Sequence, residues 1–197
     1  MKSEIECRLL EVDAKRFIKK LKDCGAAFVG DWVQTRYVYD FNPVKENSWI
    51  RLRTNGVETT LTIKEISSTK IDGTKECEIV VSDFNTTDEL LNKLGYHARN
   101  KQENRRIRYM LDDVEIDIDF WPLIPAYVEF EAQSEQDIRE LCKKLNINFS
   151  QLTTLDVNSI YKHYGINFNK FPVALLEDEK KNLKLDTEIL YNTELRK

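Results

Sequence analysis

The sequence predicts an α+β fold, which we interpret as a closed, eight-stranded antiparallel β-barrel with flanking helices. Three observations favour it. Polar and apolar residues alternate through most of the first two thirds of the 197 residues, as in strands with two different faces. Amphipathic segments with helical spacing lie between and after these strands. The polar positions of the strands are almost all charged, and eight antiparallel strands are enough to close around a small ligand.

The eight strands are predicted from alternation bounded by turn residues. Asn55-Gly56 predicts a two-residue type I′ hairpin. Asp72-Gly73 marks the next reversal, and Asp112-Asp113 predicts a tight connection between the sixth and seventh strands. The predicted strand ranges are 2–10, 33–41, 48–55, 57–66, 75–83, 104–111, 114–121 and 126–132.

Four helices are predicted from apolar residues at helical spacing. The first ends at Gly25, the second begins with a Thr86-x-x-Glu89 capping box, and the third begins at Ser134. Their predicted ranges are about 13–24, 86–95, 134–145 and 157–164. No internal repeat or Gly/Ser-rich linker divides the chain, so we expect one domain over residues 1–165. Residues 166–197 form a charged C-terminal tail, which we expect to be helical and packed on the domain.

Composition excludes several classes of protein. The 30 Lys and Arg residues are outnumbered by 34 Asp and Glu, so the net charge is −4 and we expect no nucleic-acid partner. No apolar run approaches the length of a membrane span, and the first residues hold no apolar stretch long enough for a signal peptide, so we expect neither. The four cysteines lie far apart with no CxxC pair, as expected for reduced thiols in the cytoplasm. Two histidines are too few for a His-rich zinc site, which leaves a carboxylate site for a hard cation.

Charged residues dominate one parity of the strands, opposite an almost purely apolar parity. Residues at i and i+2 share one face of a sheet, so one face carries both carboxylates and cations. Some strands contribute only acidic residues to this face and others only basic ones. The charged positions are Glu4, Glu6, Arg8, Arg51, Arg53, Lys64, Glu76, Glu78, Arg106, Arg108, Glu115, Asp117, Asp119, Glu129 and Glu131.

Two interpretations fit this pattern. In the first, the charged face lines an enclosed, water-filled lumen in which basic strands bind phosphate oxygens and acidic strands hold Mg²⁺ or Mn²⁺. In the second, the sheet is open and opposite charges pair across strands on a solvated surface. The sorting of strands into acidic and basic members favours the first.

The order of these charged strands resembles the CYTH, or triphosphate tunnel metalloenzyme, superfamily. Glu4-x-Glu6-x-Arg8 resembles the opening ExExK motif of that superfamily. The resemblance covers about residues 4–131 and is nearest to bacterial class IV adenylate cyclase-like proteins. The other matching motifs are Arg51-Leu-Arg53 (RxR), Thr62-Ile-Lys64 (TxK), Glu76-x-Glu78 (ExE), Arg106 with Tyr109 (KxRxxY), Asp119 (the metal-binding Asp) and Glu129-Phe-Glu131 (the closing ExE).

The resemblance implies an eight-stranded β-tunnel over residues 1–165 that binds a triphosphate and requires Mg²⁺ or Mn²⁺. The implied metal ligands are Glu4, Glu6, Asp119, Glu129 and Glu131. The implied substrate-binding residues are Arg8, Arg51, Arg53, Lys64, Glu76, Glu78 and Arg106. Strand parity adds Asp117 to the metal ligands and Arg108 to the substrate-binding residues. The residues expected to carry catalysis are Glu4, Glu6, Arg8, Lys64 and Arg106.

Three residues depart from the motifs. Arg8 stands where the first motif has Lys, and a guanidinium does not deprotonate at neutral pH, so it cannot activate water as an amine could. Asn104 stands where the KxR motif has Lys, which removes one cation from the predicted lumen. Arg36 stands where an Asp is usual, and its strand parity is compatible with either the exterior or the lumen.

Three functions remain open at the level of sequence. The first is class IV adenylate cyclase-like conversion of ATP to cyclic AMP and pyrophosphate. The second is hydrolysis of tripolyphosphate or a nucleoside triphosphate, and the third is binding of a polyphosphate or nucleotide without turnover. A small-molecule triphosphate is the expected partner in each, with no membrane partner and with a homodimer possible.

Overall fold

The computed structural model describes residues 1–168 and 173–176, so most of the predicted charged tail lies outside the described residues. The strands and helices are β1 (Lys2–Leu9), α1 (Ala14–Asp23), β2 (Ala27–Tyr39), β3 (Ser48–Thr54), β4 (Thr59–Ile66), β5 (Thr74–Val81), α2 (Phe84–Lys93), β6 (Ala98–Leu111), β7 (Val114–Phe120), β8 (Tyr127–Ala132), α3 (Glu135–Lys144), α4 (Val157–His163) and β9 (Val173–Ala174). No helix among these residues is long and apolar enough to cross a membrane.

Eight strands close into an antiparallel barrel, which confirms the predicted fold class. Their order around the barrel is β2-β3-β4-β5-β1-β8-β7-β6, and β6 pairs again with β2 to close it. The short β9, which the sequence analysis did not predict, pairs in parallel with β6 at Lys101 and Gln102. The alternating charged residues therefore face an enclosed interior, and the open, solvated sheet is excluded.

The apolar parity of the strands packs outward, under the helices. Ile116, Ile118, Val128 and Phe130 are completely buried on the outer face of β7 and β8. They belong to one apolar cluster with side chains of α1 and α3, which include Leu21 and Leu141. Burying an aliphatic side chain of this size contributes roughly 2 kcal/mol, so this layer fixes which parity faces the lumen.

A second apolar cluster lies around the end of β7. Trp121 and Tyr127 pack there with Ile160 and Tyr161 of α4. Phe168 stacks on Tyr161 with ring centroids 4.0 Å apart. These contacts attach α4 to the wall of the barrel.

Strands β2 and β6 are longer than predicted. The predicted ranges 33–41 and 104–111 omit residues 27–32, which pair with residues 106–110 of β6, and residues 98–103, which pair with residues 35–39 of β2. Register shifts interrupt β2 at Phe28/Gly30, and the segment 98–103 of β6 is polar on both parities. Neither segment therefore has the alternation from which the other strands were predicted.

Two local predictions are wrong. Gly56 has φ +83°, but Asn55 does not have the positive φ that a type I′ turn requires, and residues 55–58 form a longer loop. The Asn55 side-chain oxygen accepts hydrogen bonds from the backbone N–H groups of Val57 and Glu58. Helix α2 begins two residues earlier than predicted because Asp83, rather than Thr86, is its N-cap and accepts from the Thr86 N–H.

Candidate active site

The barrel encloses a cavity of about 1300 Å³. All predicted site residues except Asp117 and Asp119 line it. The predicted residues on its wall are Glu4, Glu6, Arg8, Arg51, Arg53, Lys64, Glu76, Glu78, Arg106, Arg108, Glu129 and Glu131. Residues that lie in distant parts of the sequence are thus brought together around one space.

Arg8 is held in the lumen by three acceptors. Its Nη2 lies 2.9 Å from Glu6 Oε2 and 2.5 Å from Glu129 Oε2, while Nη1 donates to the Leu155 carbonyl at 3.0 Å. Burial opposes its charge, but Glu129 and Glu6 outweigh burial and hold the pKa of Arg8 well above its ordinary value. Arg8 therefore stays charged, and its role is electrostatic.

Lys64 bridges two carboxylates on neighbouring strands. Its Nζ lies 2.8 Å from Glu4 Oε2 and 2.6 Å from Glu76 Oε2. Burial raises the pKa of Glu4 to about 8, with Glu6 and Glu76 adding to the shift and Lys64 opposing it. Lys64 and Arg51 outweigh the effect of burial at Glu76 and lower the pKa of that carboxyl. The negative charge shared around Lys64 therefore lies mainly on Glu76.

Arg106 lies over Asp117 and Asp119, the two predicted metal ligands that do not line the cavity. Its Nε and Nη2 donate to Asp119 at 2.8 and 2.6 Å, and its Nη1 lies 2.5 Å from Asp117 Oδ2. Asp119 is 0% exposed and Asp117 2% exposed. Asp117 also accepts two hydrogen bonds from Arg108. In this arrangement the two aspartates orient arginines, and the arginines face the cavity.

The basic side of the lumen has too few carboxylates for its cations. Within the part of the chain that the structure describes, Arg53 has one carboxylate within reach, Glu78 Oε2 at 3.6 Å, which also lies 3.3 Å from Arg51. Arg51, burial and Arg106 together lower the pKa of Arg53 to about 10. A lowered guanidinium pKa reports excess positive potential, which an anion would relieve.

Arg36 belongs to this basic side, so the exterior interpretation of its position is wrong. Its side chain lines the cavity and is 6% exposed. It lies directly across from Arg53 in the β2–β3 pairing. Burial and the charges of Arg51, Arg53 and Arg106 hold its pKa well below the ordinary value. The sequence did not decide which face Arg36 occupies, because Val38 and Asp40, on the same strand face, do not form the charged pair that marks the lumen in the other strands.

The acidic side is a row of three carboxylates on neighbouring strands. Glu131 of β8 lies across from Glu6 of β1 on one side and from Glu115 of β7 on the other. Glu131 makes no ion pair within the described chain, and burial beside Glu129 raises its pKa. Burial and Asp117 raise the pKa of Glu115 to about 7, although Arg108 lies 2.6 Å from it. Glu115 was not among the predicted site residues, although its strand parity pointed to it.

The donor chemistry of this row suits a divalent cation. Carboxylate oxygens are the ligands that Mg²⁺ and Mn²⁺ take in proteins, and unpaired neighbouring carboxylates are costly without a counter-charge. Within residues 1–168 and 173–176, no three carboxylate, histidine or cysteine donors surround one point, and Arg8 and Lys64 form ion pairs with Glu129 and Glu4. Glu6, Glu131 and Glu115 are the residues that fit such an ion.

Sequence reasoning missed several polar and aromatic residues of the wall. Trp49, which precedes Arg51 on the same face of β3, lines the cavity. Asn100 and Gln102 line it from the half of β6 that was not predicted as a strand. Trp49 is two residues from Arg51 and Asn100 is six residues from Arg106, so each shares a strand face with a predicted lumen residue. This spacing could have identified them.

The closed antiparallel barrel and its lumen, with one basic and one acidic wall, define a charged tunnel whose chemistry suits a polyanion together with cations. The particular family follows from its sequence: the CYTH domain model matches residues 2–164, and the chain belongs to this family. CYTH family members are typically cyclases or triphosphatases that act on triphosphates with divalent metals. A comparison with curated proteins found no match.

Solved structures with the same fold are distant in sequence. A Pyrococcus horikoshii protein has a TM-score of 0.69 at 20% identity, covering 80% of this chain and 98% of its own. A candidate adenylate cyclase from Vibrio parahaemolyticus has a TM-score of 0.67 at 12% identity, covering 82% and 98%. A candidate adenylyl cyclase from Hippeastrum, described as having a dominant triphosphatase activity, has a TM-score of 0.57 at 14% identity, covering 84% and 97%. At these identities the likeness shows the shared fold.

Proposed function

We propose that the lumen binds a triphosphate together with Mg²⁺ or Mn²⁺ and that the chain is a class IV adenylate cyclase-like enzyme. The reaction proposed is conversion of ATP to cyclic AMP and pyrophosphate. One observation carries the proposal: the same cavity has an excess of guanidinium groups on one wall and, on another, a carboxylate row whose central member, Glu131, has no ion pair within the described residues.

The basic wall is suited to the phosphate chain. Arg36, Arg51 and Arg53 lie on the adjacent strands β2 and β3. Arg51 and Arg53 share Glu78, Arg51 also lies 3.5 Å from Glu76, and Arg36 pairs with no carboxylate of the described residues. A triphosphate carries several negative charges spread over many acceptor oxygens, which guanidinium forks match well. The acidic wall would then hold the divalent cations, which would neutralise phosphate charge and polarise the phosphoryl oxygens.

The chain's own residues supply positioning in this reaction. The nucleophile is the ribose 3′-hydroxyl of the substrate, so no protein nucleophile is needed. Arg8 stays charged because Glu6 and Glu129 hold its proton, and it stabilises negative charge rather than acting as a base. This charged state is the feature that favours cyclisation over a hydrolysis in which an amine at that position activates water.

A triphosphatase is the second candidate. Two observations favour it: the charged groups of the wall recognise phosphate whatever is attached to it, and the Hippeastrum protein with this fold has a dominant triphosphatase activity. Hydrolysis would use the same arginines and the same carboxylate row. Attack of water on the terminal phosphorus would release orthophosphate and leave a nucleoside diphosphate from a nucleoside triphosphate, or pyrophosphate from tripolyphosphate.

Phosphorus NMR of the products distinguishes the candidates. The protein would be incubated separately with ATP and with tripolyphosphate, in Mg²⁺ or Mn²⁺, with EDTA as the control. Cyclic AMP with pyrophosphate is the expected result for ATP. Orthophosphate from either compound identifies a triphosphatase and contradicts the cyclase. The absence of turnover with both compounds contradicts an enzymatic role and leaves binding without chemistry.

A further inference from the structure

Hydrogen bonds and a ring contact fix the position of the Arg36 guanidinium in the lumen. Its Nη2 donates to Gln34 Oε1 and to Asn104 Oδ1, each at 2.6 Å. The guanidinium also lies over the ring of Trp121, with its Cζ 4.6 Å from the ring centroid. Two amide oxygens and an aromatic face hold the group in place, and none of them carries a compensating negative charge.

No carboxylate within residues 1–168 and 173–176 forms an ion pair with Arg36. The neighbouring buried arginines differ in this respect, since Arg8 and Arg106 each reach two or more carboxylates. Arg53, across the strand pair, has only the 3.6 Å contact with Glu78. Two like charges directly opposite each other on one sheet face destabilise it. Arg36 and Arg53 are thus the least compensated cations of the wall.

Unsatisfied donors lie on the same wall. Arg36 Nε, Arg51 Nε, Arg8 Nε and Trp121 Nε1 are buried N–H groups without a hydrogen-bond partner in the described chain. All four residues line the cavity. Buried donors almost always have partners, so this set calls for a ligand made of acceptors. A phosphate chain, which offers only oxygens, meets that requirement.

From this geometry we infer that Arg36 binds substrate: together with Arg53 it holds one phosphoryl group of the triphosphate. The inference rests on the proposed function for the ligand class and adds a residue to the site. Both N–H groups of Arg36 Nη2 donate to the two amide oxygens, so Nε and Nη1 of Arg36 are the donors that remain for phosphate oxygens. Asn104 acts as a positioning residue, since it holds Nη2 and also donates to Asp119 at 3.0 Å.

Calorimetric titration with tripolyphosphate in EDTA tests this inference without turnover. Arg36→Gln should weaken binding roughly 10- to 100-fold, as expected for the loss of a charge-assisted hydrogen bond. Arg105→Gln is the matched control because its guanidinium lies on the outer surface, paired with Asp31. Its affinity should equal that of the wild type.

Moving the positive charge from position 36 to position 104 distinguishes a role of Arg36 in ligand binding from a purely structural role. Because Asn104 Oδ1 touches the Arg36 guanidinium, a lysine at position 104 places a cation in the same part of the lumen. The double variant Arg36→Gln/Asn104→Lys should recover most of the lost affinity, and failure to recover would contradict the inference. If Arg36→Gln does not fold, Arg36→Lys is the replacement. It keeps the charge but loses the planar donors, so it should bind several-fold more weakly.

The outcomes distinguish the two proposals. Wild-type protein that binds tripolyphosphate neither in EDTA nor with Mg²⁺ contradicts the proposed function, and this inference with it. Wild-type protein that binds, with an affinity that Arg36→Gln (or Arg36→Lys) leaves unchanged, overturns the role of Arg36 alone.

Discussion

Arg106 and Asp119 face each other across β6 and β7 inside the barrel, joined by two hydrogen bonds of 2.8 and 2.6 Å. The preceding residue, Arg105, makes the same fork with Asp31 on the outer surface, also at 2.8 and 2.6 Å. The two pairs share their geometry and differ in exposure, because successive residues of β6 point to opposite faces. They therefore allow a direct comparison of a buried and an exposed ion pair in one strand.

Asp119→Asn should lower the free energy of unfolding by about 2–4 kcal/mol, because it removes one carboxylate from a buried arginine. Asp117 and Glu129 still contact Arg106, which limits the loss. Asp31→Asn, the exposed counterpart, should cost less than about 1 kcal/mol. Urea denaturation of both variants measures the difference. Equal losses would show that Asp119 does not hold Arg106 in the way the geometry indicates.

Glu131→Gln should leave the ligand-free protein as stable as the wild type or more stable. Glu131 has no ion pair in the described chain, and its pKa is raised by burial beside Glu129, so its charge opposes folding. The same change should lower metal-dependent turnover roughly 100-fold, because the acidic row loses its central carboxylate. Thermal unfolding measures the first effect, and turnover followed over a Mn²⁺ titration measures the second together with the affinity for the ion. Undiminished Mn²⁺ affinity would remove Glu131 from the metal ligands.

Glu129→Gln is the contrasting change in the same strand. Glu129 lies 2.5 Å from Arg8 Nη2 and 3.1 Å from Arg106 Nη2, so its loss leaves two buried arginines with fewer partners. We expect the unfolding free energy to fall by about 2–4 kcal/mol, in addition to the loss of activity. If Glu129→Gln and Glu131→Gln had the same stability, the distinction between a pairing carboxylate and an unpaired one would be wrong.

Much of the lumen was predictable because strand parity is a strict geometric rule. Glu129 and Glu131 alternate with Val128 and Phe130, so the apolar pair fixes the direction of the charged pair. Parity does not reveal how deep a side chain lies. It placed Asp119 on the correct face, but could not show that Arg106 would lie between Asp119 and the cavity.

The position of Arg36 could not be predicted because it depends on a pairing between distant strands. The motif comparison suggested that Asn104 removed one cation from the lumen. The structure shows Arg36 in contact with Asn104, so a cation from β2 occupies that region. Only the β2–β6 seam, whose polar segment 98–103 has no apolar parity, brings these residues together.

Arg8→Lys should lower stability by about 1–3 kcal/mol, because an ammonium group cannot reproduce the planar contacts with Glu6, Glu129 and the Leu155 carbonyl. Loss of the last contact should also increase amide hydrogen exchange in residues 153–156, which cross next to β1. The matched control is Arg16→Lys on the exposed side of α1, which should change neither. Unchanged exchange in residues 153–156 would show that Arg8 does not hold this segment.

Trp49 offers a way to separate recognition of a nucleoside from recognition of phosphate. It lines the cavity next to the Lys64 strand position and shares one face of β3 with Arg51 and Arg53. An aromatic ring beside the proposed phosphate-binding wall is placed to stack on a nucleobase, and such stacking typically contributes about 1–3 kcal/mol. Trp49→Ala should therefore raise the KM for ATP roughly tenfold, with less than about a twofold change for tripolyphosphate. Tripolyphosphate is the internal control, because it has no base. Equal effects on both compounds would show that Trp49 supports the wall rather than the base. That result would also remove Trp49 as a contact through which this cavity could favour ATP.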